Sequence, residues 1–447
     1  MVDVKEQSRE GAVSVSVVVV NYNGGEAILD CLQSVQQHTG PLGCSPAAER
    51  SPVGEGKMGT GAGTAIEALT QPTEASLTEA PQPLCEGVEV LVVDNASVDG
   101  SPDAIKENFP WVQLIAAGAN VGFGAGNNLG VGRARGEYVV FLNPDTVVTE
   151  GWLGALIGEL QPGRGPDHAR QDGPAQPGRR GSADQADHAL QDGLDQPGRQ
   201  GISGWAPREI GLVTSKILMA DDPGIINTCG NSIHLTGITL CRGLGEPREA
   251  MSQIEDVSAA SGAAFAMRRE LFEKLGGFDQ DMFLYMEDTD LSLRVQIAGY
   301  RCRYVPDSIV LHRYSLKMTP MKVFYQERNR YLMLLKTLRW PTLVVLAPAA
   351  LCAELITWTF VALKDRGNAG NKIRAYRWIW SNWKSVLRKR AAVQSQRTVP
   401  DRAIVRRWSI RLDFGQAASP ALALVGHIAF DPLFALFKLL ALAIVWW

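Results

Sequence analysis

Cysteine is sparse and shows no pairing pattern. Seven occur in 447 residues, Cys31, Cys44, Cys85, Cys229, Cys241, Cys302 and Cys352. An odd count, wide scatter and no C-x-x-C pair give no disulfide framework and fit reduced thiols in a cytosolic protein. A surplus of charge is missing too: 44 Lys and Arg stand against 47 Asp and Glu, a net charge of −3, so no nucleic-acid partner follows from composition. No long apolar run opens the chain. Met1 to Gly11 is polar and charged and the first apolar run is only strand-length, so neither a signal peptide nor a membrane span is expected there. The spacings of G-x-G-x-x-G and of the P-loop are also absent. The nearest approach, Gly122-Phe123-Gly124-Ala125-Gly126, disfavours dinucleotide and ATP readings, and its glycines are expected to let the backbone pass close to a ligand. What is abundant is apolar side chain, at 45%, enough for at least one substantial core and something beyond a single domain.

The apolar residues fall into alternating strand and helix patterns. From Val13 a valine run carries no polar interruption, as a strand buried on both faces should, and Glu26 to Gln37 follows with Ile28, Leu29, Leu32 and Val35 at helical spacing. Order resumes at Val88 with a strand, a polar turn and a helix from Ser101 to Asn108. Later strands are expected at Tyr138 to Leu142, Gly211 to Ile217, Ala263 to Met267 and Ser308 to Leu311, with a short helix from Arg269 to Leu275 that stops at Gly276-Gly277. Such alternation predicts an α/β domain with a mostly parallel sheet, residues 13–336. Two stretches, 38–86 and 161–207, have almost no large apolar side chains and read as disordered insertions. The second holds a near-repeat, Asp167 to Gly173 echoed by Asp187 to Gly193, too polar to stack as a solenoid.

Three of the strands stop at carboxylates or amides: Asn21-Tyr22-Asn23, Asp94-Asn95 and Asn143-Pro144-Asp145. Ligands of open α/β sheets bind outside the carboxyl ends of strands, so these residues describe a nucleotide-and-metal site. Asp145 supplies the kind of carboxylate that holds a hard divalent cation together with substrate phosphates, although Asn-Pro-Asp is also an ordinary turn. Asp94 could equally cap the helix at Ser101. A fourth segment adds Glu287, Asp288 and Asp290 where a loop enters a helix, a place that dipole and capping effects alone favour for acids. They do not account for the wall Phe283-Leu284-Tyr285-Met286 beside the acids, which would desolvate a carboxylate and make it a better general base. Arg294 could offset the negative charge. His312, at a strand end, is either a hydrogen-bonded structural histidine or a metal ligand.

The last third, residues 337–447, changes character. Pro341 to Leu363 and Ala421 to Trp447 are long enough to span a membrane, yet Pro348 and Glu354 interrupt the first, and His427, Asp431 and Pro432 the second. Lys364 to Arg411 between them holds 14 Lys or Arg against two Asp, with Trp378, Trp380 and Trp383 interleaved, a composition suited to an anionic cytoplasmic leaflet. A single crossing would put this basic segment outside, against the positive-inside tendency. Re-entrant or in-plane helices are therefore preferred, with buried helices of a soluble bundle as the alternative.

In their order along the chain these segments resemble family 2 glycosyltransferases of GT-A fold, in particular the rhamnosyltransferase-like branch. The matching pieces are Val17 to Gly24, Val92 to Ser101, Asn120 to Asn128, Leu142 to Asp145, Phe283 to Leu291 and Gly299 to His312, within about residues 13–335. The resemblance implies a Rossmann-like GT-A domain. It implies an inverting, metal-dependent transferase that moves one sugar, rhamnose being the sugar the branch suggests, from a nucleoside-diphosphate donor to a glycan or polyprenyl-linked acceptor. Cell-surface polysaccharide synthesis at the cytoplasmic face of the cell membrane is the expected setting. Tyr22, Asn23, Asp94, Asn120, Asn128 and Asn143 would bind the nucleotide sugar. Asp145 and His312 would hold Mg²⁺ or Mn²⁺, with Asn143 in place of the first acid of D-x-D. Asp288 would be the catalytic base, with Glu287 beside it contacting the acceptor. The Q-x-x-R-W motif of processive synthases is missing after Gln326, so single addition is expected, and Arg328-Asn329-Arg330 could meet phosphates, an exposed basic helix being the alternative. Two other readings stay open: a nucleotide-sugar-binding or scaffold protein without turnover, and a nucleotidyltransferase, for which Asn21-Tyr22-Asn23-Gly24 lacks the glycine-rich basic loop.

Overall fold

The computed structural model describes residues 14–39, 85, 87–161, 209–314, 319–364, 366–412 and 420–447. Both expected insertions fall almost wholly outside these residues.

The valine run forms β1, Val15–Asn21, with every residue buried, because β-branched side chains on both faces have a layer to pack against. Helix α1, Gly25–His38, buries Ile28, Leu32 and Val35, close to the predicted limits. The chain continues through β2 (Val88–Asp94), α2 (Ser101–Asn108), β3 (Val112–Ala116) and α3 (Phe123–Val131) to β4 (Tyr138–Leu142), β5 (Thr146–Val148) and α4 (Trp152–Leu160). The glycines of α3 pack closely against the sheet. A Cβ on Gly130 would lie 2.4 Å from the Val18 side chain and one on Gly126 2.9 Å from Val20, so they let the helix sit directly on β1.

The second half supplies β6 (Ile210–Met219), β7 (Ile226–Thr228), β8 (Asn231–Ile233), β9 (Thr239–Cys241), β10 (Glu255–Asp256) and β11 (Ala264–Arg268). These are followed by α5 (Arg269–Lys274), α6 (Glu287–Ile297) and β12 (Arg301–His312). The sheet order is β10-β12-β6-β11-β4-β1-β2-β3. Strands β3, β2, β1 and β4 are mutually parallel and β6 is parallel to β12, while β11 runs antiparallel between β4 and β6. This is the α/β, GT-A-type architecture with a mostly parallel sheet. The parallel strands bring Asn21, Asp94 and residues 143–145 to one edge. Cys31, Cys229, Cys302 and Cys352 are free thiols.

The last third is helical: α7 (Pro320–Thr337), α8 (Trp340–Lys364), α9 (Ala369–Ser381), α10 (Trp383–Ser395), α11 (Asp401–Arg406) and α12 (Pro420–Ile444). It shares one apolar core with the sheet domain, in which Met282, Leu293 and Ile297 pack with Leu332, Leu346, Trp408 and Phe434.

Candidate active site

At the ends of β1 and β2 a hydrogen-bonded hub is built on Asn21. Register pairs Asn21 with Asp94, and the buried Asn21 amide donates to Asp94 Oδ1 at 3.1 Å, Ser97 Oγ at 3.1 Å and Ser101 Oγ at 2.8 Å. Asp94 is buried and accepts from the Ser97 amide through its other oxygen. The start of α2 is held by Asp99, whose Oδ1 accepts from the Ser101 amide and hydroxyl, so Asp94 does not cap that helix. Asn23 sits at a left-handed φ of 52° and accepts from the Val98 amide. Between these anchored residues Tyr22 is 51% exposed, an aromatic face at the sheet edge. Asn120 is exposed and accepts from the Gly122 amide. Asn128 stands apart: both ends of its side-chain amide engage the Phe278 backbone, at 2.8 and 2.9 Å, which makes it a brace between α3 and the turn after α5.

At the end of β4, the antiparallel pairing of β5 with β12 sets Thr146 opposite His312 and so brings Asp145 to the imidazole. His312 Nε2 lies 3.4 Å from Asp145 Oδ1, a buried oxygen with no hydrogen-bond partner. His312 Nδ1 lies 2.9 Å from Asn227 Oδ1, so donation there leaves Nε2 as a lone pair. Two acceptors facing each other fit a divalent cation between them, with Asn227 fixing the tautomer. Among the described residues no group of three or more His, Cys, Asp or Glu forms a metal cluster. Further oxygens would have to come from Asn143, whose side-chain amide has no partner among the described residues, and from water and phosphates.

The acids reach this edge through a short bridge. The Asn143 amide donates to Ala263 O at 3.0 Å, and the neighbouring Gly262 amide donates to Asp288 Oδ2 at 2.8 Å. Asn231 lies 3.5 Å from the same oxygen, while Asp288 Oδ1 accepts from the Thr289 amide at 2.6 Å. A Cβ at position 262 would stand 3.2 Å from Asp288 Oδ2, a tight contact that would press on the carboxylate. Asp288 is half-buried, and burial raises its carboxyl above the ordinary range against the pull of the Thr289 and Gly262 amides. Glu287 is buried and its Oε2 has no partner. Burial first, and then the charges of Asp288 and Asp290, push its carboxyl up to about 8. Asp290 points the other way, pairing with Arg294 Nε and Lys336 Nζ at 2.8 Å each.

The loop before these acids is strained. Phe283, Tyr285 and Met286 have φ of 61°, 68° and 67°, in a region that non-glycine residues seldom occupy. A buried side chain braces it: Asn329 Nδ2 on α7 donates to Met282 O at 2.9 Å, Leu284 O at 3.0 Å and Tyr285 O at 2.7 Å. Arg328 adds a hydrogen bond to Met282 O at 2.8 Å and one to Asp281 O, with its guanidinium 4.5 Å from the Trp378 ring of α9. Lys389 of α10 pairs with Asp279 and Asp281. The expected phosphate role for Arg328-Asn329-Arg330 therefore gives way to a clamp. All three are buried, and Arg330 is paired with Glu327 and Glu354. Gly122 meets the same loop, since a Cβ there would lie 2.4 Å from Phe283 O. Gly262, Asn227 and Asn231 escaped sequence reasoning because each acts on a partner far along the chain.

Comparison with known proteins meets this geometry. Residues 70–170 match the family model described as glycosyl transferase family 2, and residues 244–447 match glycosyl transferase family group 2. A curated relative, the N-acetylglucosaminyl-diphospho-decaprenol L-rhamnosyltransferase of Mycobacterium tuberculosis, is 29% identical over 236 residues, which is 50% of this chain and 66% of the relative. Rhamnosyltransferase WbbL of Escherichia coli is 38% identical over 66 residues, 15% of this chain and 25% of that one. Among solved structures, GalNAc-T7 with UDP, GalNAc and Mn²⁺ superposes with a TM-score of 0.42 at 14% identity, covering 73% of this chain and 48% of that one. Staphylococcus aureus TarS residues 1–349 with UDP-GlcNAc give 0.41 at 13% identity, with coverages of 96% and 89%. The family matches fall on the elements that carry Asp94, Asp145 and Asp288, and the chain belongs to the family 2 glycosyltransferases.

Proposed function

We propose that this chain transfers one sugar, with inversion, from a nucleoside-diphosphate donor to a hydroxyl of a lipid-linked glycan acceptor at the cytoplasmic face of a membrane. The observation that carries this reading is the convergence of Asp288 with Asn143 and Asp145 through the Gly262-Ala263 bridge. Tyr22 offers a face for the base, and Asn21 with Asp94 presents a fixed polar floor for the nucleoside. Asp145 and His312 would hold a Mg²⁺ or Mn²⁺ ion, which when bound neutralises the charge that develops on the departing diphosphate. Asp288 takes the proton of the acceptor hydroxyl as that oxygen attacks the anomeric carbon from the face opposite the leaving group. Burial keeps Asp288 poorly solvated, which raises its basicity. The Mycobacterium relative's name specifies a rhamnosyl transfer to a polyprenyl-diphosphate sugar, and this supports rhamnose and a polyprenyl-linked acceptor as the first pair to try.

The test is nucleoside-diphosphate release from UDP-, dTDP- and GDP-sugars with Mg²⁺ or Mn²⁺ and a polyprenyl-diphosphate glycan, using intact protein and Asp288→Asn. Release from one donor, lost by a factor of about 10³ in the variant, is expected for removal of a general base. Undiminished release in Asp288→Asn would refute the assignment. Nucleotide binding without release from any donor would favour the scaffold reading.

A further inference from the structure

Helices α8 and α12 are apolar enough to cross a bilayer, but only 22% and 11% of their most apolar windows are buried, so neither is a core helix. Each is nonetheless pinned along its length to the rest of the fold, α8 to the neighbouring helices and α12 to Trp408, His234 and α8. At the start of α8 the Arg339 amide donates to Asp401 at 2.8 Å, and the Arg390 guanidinium lies 4.1 Å from the Trp340 ring. Fourteen residues on, Glu354 is held by Arg330 and Tyr331 of α7 and by Lys372 and Tyr376 of α9, and Lys372 also reaches Thr357 at 2.9 Å. Only about 10 Å of helix remains beyond Thr357, at 1.5 Å per residue, whereas a crossing needs about 30 Å. Helix α12 is tied in the same way. Lys438 donates to Trp408 O at 2.6 Å, the Phe434 ring lies 4.5 Å from His234, and the Trp447 indole donates to Thr342 at 2.9 Å.

The polar residues that interrupt these helices thus turn inward. The outward stripes are apolar: Val344, Leu351 and Leu355 on α8, and Ile428, Leu436 and Leu439 on α12, are 50 to 72% exposed. On α8 the exposed Thr359 hydroxyl is satisfied by Leu355 O at 2.7 Å, so it carries no open donor. The neighbouring basic helices α9 and α10 expose Arg374, Arg377, Lys384 and Arg388 beside Trp380, which is 82% exposed. Apolar stripes flanked by exposed Arg, Lys and Trp are the composition of a helix lying in the boundary between headgroups and acyl chains.

We propose that α8 and α12 lie in the plane of an anionic lipid bilayer and bury one face in a single leaflet, so that both ends of each helix stay on the side of the sheet domain. This deepens the membrane part of the reading above and identifies its partner as a lipid surface. It also reconciles long apolar helices with the basic segment between them, which then never leaves the anionic leaflet.

The experiment uses the full chain with Gly367→Cys, at a position between α8 and α9 where an added Cβ meets nothing within 4 Å, and Gly154→Cys on α4, equally open. Each is probed with a membrane-impermeant maleimide against the parent protein. The proposal expects both to react in inverted vesicles and neither in intact cells. Reaction of Gly367→Cys in intact cells, with Gly154→Cys protected, would mean that α8 crosses and would overturn it. Leu355→Glu with Leu436→Glu should weaken binding to phosphatidylcholine–phosphatidylglycerol vesicles by roughly tenfold or more, given the cost of placing charge in lipid. Unchanged binding would also overturn the proposal. Donor turnover in detergent micelles reports on the transferase reading separately, since it needs no bilayer.

Discussion

The two halves of the candidate site are built by opposite means. At the ends of β1 and β2 the polar groups of Asn21, Asp94, Ser97 and Ser101 satisfy one another, the strands need only their valines to form, and the exposed Tyr22 is left for a ligand. At the start of α6 the backbone is strained, Glu287 is buried with an unpartnered oxygen, and the geometry depends on Asn329 and Arg328. The first half follows from the parallel pairing of β1 with β2, whereas the second stores strain that another element must hold. In the function proposed above, division of this kind separates a binding surface, complete before the donor arrives, from an acid that has to remain poorly solvated.

The largest effect should come from removing the clamp. Asn329→Ala takes the side-chain donor from the Leu284 and Tyr285 carbonyls, Met282 O keeping Arg328, and each unsatisfied group costs about 1–3 kcal/mol. A loss of roughly 2–5 kcal/mol in chemical denaturation is expected, together with a fall of about 100-fold in kcat and little change in donor KM. A parallel rise in KM would erase the distinction between the halves. Asn21→Ala should act in the opposite sense, costing about 1–3 kcal/mol of stability through its lost partners. It should weaken nucleoside-diphosphate binding about tenfold in calorimetry, with kcat at saturating donor nearly kept.

Glu287 sharpens the comparison through pH. Its carboxyl ionises near 4.5 in the unfolded chain and near 8 in the folded one, so between these values the folded state holds the extra proton. The associated stability is fully present below about 4.5 and is lost as pH rises through about 8. Thermal unfolding of the intact protein should therefore fall between about pH 5 and pH 9 more steeply than that of Glu287→Gln. Equal slopes would place the ionisation elsewhere. The smallest effect on stability belongs to Tyr22→Ala, an exposed residue, at within about 0.5 kcal/mol, while donor affinity drops several-fold.

The same division governs what could be read from the sequence. Valine-rich strands ending in Asn21, Asp94 and Asp145 declare themselves because each signal is contiguous, and α1 and α2 follow from helical spacing close to their observed limits. The joining of Asp145 with His312 was implied by the family resemblance, but the strand that delivers it, β5, is only three residues long and too short to show a pattern. Arg328-Asn329-Arg330 looked like a phosphate-facing cluster because charge in a sequence does not say which way a helix turns. Their carbonyl partners lie more than forty residues earlier. The glycines from Gly122 on were legible as sites of close approach, and Gly126 and Gly130 lie against β1 while Gly122 lies against the Phe283 backbone. In the last third, length and hydropathy gave the two apolar helices, while the inward turn of Glu354 and Lys438 needed the folded chain.

The most direct measurement pairs two variants in one calorimetric and kinetic assay: Asp145→Asn and Asn329→Ala, titrated with nucleoside diphosphate in the presence and absence of Mn²⁺. The account predicts that Asp145→Asn loses the Mn²⁺-dependent part of binding, while Asn329→Ala binds as the intact protein does and loses turnover. Donor binding lost equally in both would contradict it, because strand ends and clamped acid would then form one inseparable unit.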